Sequence, residues 1–219
     1  MKYLSNPDML LGLMRQMLSG MEVTLPLFFY TLIFSLPLGV IVALMRMCKL
    51  KIVSVPTRVC ILVLRGTPLM IQLFLIYFGL PALGVNLDAA TAGILGIGIN
   101  SSGYVGEIVR GGIEGVPKGQ WEAAKMLGLS YRQTMKSIIL PQAIRHMLPA
   151  IGNEFVTLIK ESSLLSVLAI SDLTMVGQQV RSVTYASFET FIFVALVYLV
   201  LTSVTSGALQ LLENRWKVK

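Results

Sequence analysis

Two stretches of 23 consecutive uncharged residues, Val23–Met45 and Thr190–Leu212, constrain this chain more than any other feature. At 1.5 Å of rise per residue, a helix of that length reaches about 35 Å, enough to cross roughly 30 Å of hydrocarbon. Lipid offers the backbone no hydrogen-bond partners, so both runs read as transmembrane helices. The remainder of the 219 residues points the same way: 55% are hydrophobic and 13% charged, with a mean hydropathy of +0.76. One soluble core cannot hide that much apolar surface. The net charge of +7 would suit nucleic acid, but the basic residues stand in short clusters beside apolar runs, which is the signature of membrane topology.

Three further spans are less clean. Between Arg65 and Asp88 lie 22 uncharged residues that end at a Pro and Gly cluster near Ala82. Ala89 to Gly106 adds 18 more, with Gly98, Ser102 and Gly106 recurring at i, i+4 and i+8, a small-residue stripe that admits a close helix neighbour. Ser137 to Asp172 is interrupted by Arg145, His146, Glu154, Lys160 and Glu161. If that helix enters the bilayer near Met147, Glu161 lies about 21 Å along it, somewhat past mid-bilayer. The predicted fold is therefore an all-α integral membrane protein of five transmembrane helices. One transmembrane domain covers 1–219, with spans near 22–46, 56–82, 88–112, 146–170 and 189–212 and a connecting loop at 113–141.

Lysine and arginine set the sidedness. Fourteen flank the first connection, the third connection and the C-terminal tail, against four (Lys2, Arg15, Lys160 and Arg181) on the other side. The positive-inside rule then places the N-terminus outside, the C-terminus inside and loop 113–141 in the cytoplasm. The N-terminal MKYLSNPDMLLGLMRQMLSG carries Asp8 and Arg15 within its apolar stretch and no small-residue cleavage site, so no removable signal peptide is expected. Met9, Met14, Met17 and Met21 are expected to form an apolar surface along the outer interface. Cys48 and Cys60 read as reduced packing residues, and a single histidine, His146, argues against a metal site.

Loop 113–141 carries a soluble-looking element. WEAAKMLGL is helix-forming, Gly128 suits a left-handed cap, and Pro141 suits the first turn of a following helix, so a helix-break-helix elbow results. Glu122, Ala123 and Ala124, three residues, Gly128, nine residues, Ile138, then Leu140 and Pro141 resemble the cytoplasmic EAA loop of ABC importer permeases. GMEVTLPL, LRGTPLMIQLFLIYFGLP, EIVRGGI and LIKESSLLSVLAISDL extend the resemblance to the polar amino acid branch over nearly the whole chain.

That resemblance implies a type I importer-like permease in a bacterial-type cytoplasmic (inner) membrane, with the EAA segment as coupling helix. It implies a non-catalytic subunit whose ATP and Mg are bound by a separate ABC ATPase subunit. Its other partners would be a second permease, identical or homologous, and an extracytoplasmic amino-acid-binding protein. Ala123 and Ala124 would allow close approach to the ATPase groove, and Glu122, Gly128, Leu140 and Pro141 complete the expected coupling set. In accord with a separate engine, the chain has no G-x-x-x-x-G-K-[ST] motif.

Two places offer polar groups for a solute. In the first, Thr67, Pro68 and Gln72, the proline removes a backbone donor and leaves a carbonyl four residues earlier able to hold an ammonium group. Arg65 beside it either joins the site or snorkels to phosphate. The second is Lys160-Glu161-Ser162-Ser163, where unpaired charge in lipid would cost several kcal/mol. Glu161 is the expected partner of a substrate amine, with Ser162 and Ser163 beside it, unless Lys160 and Glu161 instead pair with each other or with Glu107 and Arg110. Asn100, Tyr104 and Glu107 form a polar stripe that either stitches helices or lines the pathway. The function expected is ATP-driven import of a polar or cationic amino acid. The alternatives are an ion-driven secondary transporter and, more remotely, a serine-type intramembrane hydrolase using Ser162 or Ser163 with Lys160.

Overall fold

The computed structural model of the protein describes residues 7–216, which are helical almost throughout and contain no strand. Helix α1 (Pro7–Ser19) runs through Gly20 into α2 (Met21–Arg46). A Cβ at Gly20 would lie 2.6 Å from the Leu173 Cα, so this junction passes hard against the start of a much later helix. Together α1 and α2 supply an apolar stretch, Met14–Arg46, long enough to cross a membrane, and α10 (Ser187–Trp216) supplies another over Ser187–Arg215.

Helix α3 (Lys51–Gly66) stops at Thr67-Pro68, and α4 (Leu69–Phe74) continues through a π turn (Leu75–Gly79) and a 3-10 turn (Leu80–Leu83). The two parts are bent by 107°, so the sequence segment 56–82 forms a broken element rather than a straight span. As a bent pair it counts as a third candidate crossing. Gly84, at φ 82°, ends it in the left-handed region that favours glycine.

Helix α5 (Ala89–Glu114) starts at an Asp88 cap, whose carboxylate accepts from the Thr91 amide at 3.0 Å, and it is the hub of the bundle. It packs against α2, α3, α4 and α8. Its small-residue stripe works as expected: a Cβ at Gly106 would come within 2.7 Å of Val42 and 3.3 Å of the Gly39 carbonyl, and one at Gly98 would strike the Phe34 ring. Lipid provides no hydrophobic drive between helices, so backbone proximity and close packing hold α2 and α5 together. Because α5 spends its length on Gly, Ser and Asn, composition alone does not mark it as a membrane helix although its 26 residues span about 39 Å.

A helical elbow follows: α6 (Lys118–Met126), α7 (Tyr131–Thr134) and a π turn (Met135–Ile139) lead into α8 (Leu140–Glu161). A 3-10 turn (Ser162–Leu168) and α9 (Leu173–Thr184) connect α8 to α10, which packs on α8 and α9. Met17 is 2% exposed and joins Leu173, Val176, Val180 and Val194 in a core cluster. The methionine stripe therefore packs inward at this position instead of lying on the outer interface; the side chain of Met9 lies outside the described residues.

Candidate functional site

The elbow is built by its caps. Pro117 precedes α6 in an extended conformation, and the helix ends with Leu129 N–H donating to the Ala124 carbonyl (3.1 Å) and Gly128 N–H to that of Lys125 (3.0 Å). This is a Schellman ending, and Gly128 sits at φ 71° as it requires. A Cβ there would meet nothing within 4 Å, so the demand for glycine is conformational and not steric. Ser130 and Gln133 then form a reciprocal capping box at α7. Pro141, in the first turn of α8, has no N–H for the carbonyl of Ser137, and the chain there widens into the π turn. The Trp121 and Tyr131 rings stack 6.0 Å apart across the break.

The two alanines part company. Ala123 is exposed with Glu122, whereas Ala124 is fully buried on the side where α6 packs against the π turn of its own chain. The outward face adds Met126 and Leu127, 88% and 77% exposed, residues the spacing pattern did not single out.

Inside the bundle, Pro68 orphans the Leu64 carbonyl, and the structure satisfies it twice. Gln72 Nε2 donates to it at 2.8 Å and Asn100 Nδ2 at 2.9 Å. Gln72 also donates to the Thr67 hydroxyl (2.8 Å) and accepts from Asn100 (3.1 Å). Thr67, Pro68 and Gln72 are thus brought together, and their polar atoms are turned on the break itself. Asn100 stitches α5 to it.

Farther along the polar stripe, Tyr104 lies under the Arg65 guanidinium (4.9 Å), and Glu107 pairs with Arg110 (2.7 Å) and Arg46 (3.8 Å). Lys160 and Glu161 have no ion-pair partner among the described residues, so Glu107 and Arg110 do not serve them. Ser162 and Ser163 donate to the carbonyls of Ile159 and Lys160, which tightens the end of α8. Glu161 is half-buried, and one residue that carried no role in the sequence reading stands near it: Glu154, 8% exposed, accepts a 2.7 Å hydrogen bond from Ser101 of α5. Its i, i+7 relation to Glu161 puts both carboxylates on one face of α8 and was the available signal. The described residues contain no group of three ligating side chains placed for a metal.

Residues 35–218 match the family described as binding-protein-dependent transport system inner membrane component. The chain is 35% identical to the probable amino-acid ABC transporter permease YckA of Bacillus subtilis, over 98% of this chain and 95% of that protein. It is 43% identical to the probable glutamine permease GlnM of the same organism (83% and 84% covered), and 36% identical to the glutamine transport permease GlnP of Escherichia coli (92% and 93%). A crystal structure of an amino acid ABC transporter with histidines superposes at a TM-score of 0.90, with 42% identity over 97% of this chain and 98% of that one. A methionine ABC transporter, at 18% identity and a TM-score of 0.74 (97% and 100% covered), shares the fold. With the elbow, the broken third helix and this match in hand, the chain belongs to the inner membrane permease components of binding-protein-dependent ABC transport systems, subunits that carry no catalytic chemistry of their own.

Proposed function

We propose that this chain is the membrane-spanning subunit of an ATP-driven importer for a polar or cationic amino acid. The observation that carries this reading is continuity: the elbow leads through Pro141 into α8, and the same helix bears Glu154 and Glu161. Movement of α6 by a docked ATPase would turn α8 as a rigid body and change the surroundings of both carboxylates. The glutamine and arginine permeases among its relatives support the substrate class. In this reading Glu122, Ala123, Met126 and Leu127 face a docking groove of the ATPase subunit, and ATP and Mg are bound by that subunit. Ala124, Gly128, Leu140 and Pro141 fix the elbow, and five crossings put the N-terminus out and the C-terminus in. A second permease, identical or homologous, and an extracytoplasmic binding protein complete the complex.

Glu161, with Ser163 beside it and Glu154 behind it, receives the substrate ammonium, while Thr67, Pro68, Gln72 and Ser162 shape the walls. ATP-dependent uptake by the reconstituted complex, run against a panel of amino acids, tests this. Glu161→Gln should cut uptake at least tenfold, and transport of acidic amino acids alone would refute the amine-binding role. Uptake that survives removal of the ATPase would instead favour an ion-driven carrier.

A further inference from the structure

A polar cavity of about 540 Å³ opens between α3, α5 and the end of α2. Its lining includes Arg46, Arg58, Arg65, Tyr104, Glu107 and Arg110, four guanidiniums around one carboxylate. Two of the arginines are already served: Arg110 pairs with Glu107 and Glu114, and Arg46 lies 3.8 Å from Glu107. Although Arg65 stands within electrostatic range of Glu107 and Glu154, Arg58 and Arg65 make no ion pair within 4 Å among the described residues. They stand seven residues apart, two turns on one face of α3, so their forks can close on a single ligand. Arg65 is held over the Tyr104 ring, which fixes its plane while leaving its donors open.

The residue before Arg65, Leu64, bonds through its carbonyl to Asn100 of α5, so Arg65 follows directly on a packed junction of the bundle. A guanidinium exposed to acyl chains costs several kcal/mol and persists only where it faces water, a partner or an anion.

We propose that this cavity is an oxyanion site, taking a carboxylate or a phosphate group between Arg58 and Arg65. Planar, bidentate recognition of such groups is what arginine forks provide. Two sources share the chemistry: the carboxylate of a solute, and the phosphodiester of an anionic lipid. Neither Glu154 nor Glu161 lines this cavity, and its test does not require transport.

The full chain in phosphatidylcholine nanodiscs is compared with Arg58→Gln, Arg65→Gln and, as a control on α9, Arg181→Gln. Thermal unfolding is followed while phosphatidylglycerol is introduced into the disc, and separately while N-acetylglycine or its amide is added to the buffer. A bound anion raises the melting temperature by mass action. Each cavity variant should weaken the effective anion about tenfold, equivalent to about 1.4 kcal/mol, and the control should not. A shift with phosphatidylglycerol alone assigns the lipid phosphate. One with N-acetylglycine, absent with its amide, assigns a solute carboxylate. If neither anion stabilises the unmodified chain, or if both cavity variants keep the full shift, the proposal fails. Arg58→Gln breaks no ion pair among the described residues, and its melting temperature without added anion checks that it folds, which keeps the test decisive.

Discussion

Gly128 ties a local conformation to the coupling role proposed for the elbow. Its left-handed φ of 71° ends α6 and aims the chain at α7. A β-branched residue there is strained, by about 1 kcal/mol or more, even though the space is open. Gly128→Val should leave the protein in the membrane but uncouple ATP hydrolysis from uptake, and normal coupling ratios in reconstituted vesicles would contradict this. Asp172 illustrates a buried charge outside the spans. It caps α9 through the Met175 amide at 2.8 Å, and burial pushes its carboxyl up to about 6 from 3.8. Because the native state holds this proton more tightly than the unfolded chain, stability falls as pH rises from about 4 to about 6. Asp172→Asn keeps a good cap without the charge, so its melting temperature should lose that slope and gain on the wild type above about pH 6.

At the scale of elements, the break between α3 and α4 is the instructive case. Pro68 makes it legible in the sequence, since proline cannot serve the carbonyl four residues back. What the sequence could not state is that Gln72 and Asn100 would both reach the Leu64 carbonyl, because Asn100 lies 36 residues away from Leu64 and on another helix. The polar groups read as a solute site are spent mainly on holding a 107° bend. Asn100→Leu leaves the Gln72 oxygen without its donor in a dry interior, at a cost of about 1–3 kcal/mol. Denaturation in nanodiscs should register that loss, and a variant as stable as the wild type would remove the stitch from the account. By contrast, the contact of α2 with α5 follows from the Gly98, Ser102 and Gly106 spacing, since an absent side chain is itself the docking feature.

The whole molecule places its chemistry by sidedness. The basic loops predict that α6 faces the cytoplasm and that the turn between α9 and α10, with Tyr185 88% exposed, faces outward. In a chain with Cys48 and Cys60 replaced by serine, Tyr185→Cys should react with a membrane-impermeant maleimide in intact cells. Met126→Cys should react only after the membrane is opened, and the reverse pattern would invert the topology. The elbow leads directly into α8, the helix that carries Glu154 and Glu161, and this continuity is what the proposed coupling would use.

Hydrophobic length, charge asymmetry and the E-A-A, Gly, Leu-Pro spacing lie in consecutive residues, and the sequence by itself therefore determined the membrane class, the elbow and its caps. Those features are local: a helix cap or an apolar run needs no distant partner to exist. Only the tertiary structure decided which polar groups remain available. Ser101 meeting Glu154, Asn100 meeting Leu64 and Arg65 lying over Tyr104 each join residues more than 30 positions apart. In a bilayer an unpaired polar group is costly, so the packing of helices settles which side chains are consumed as structure and which are left for a ligand.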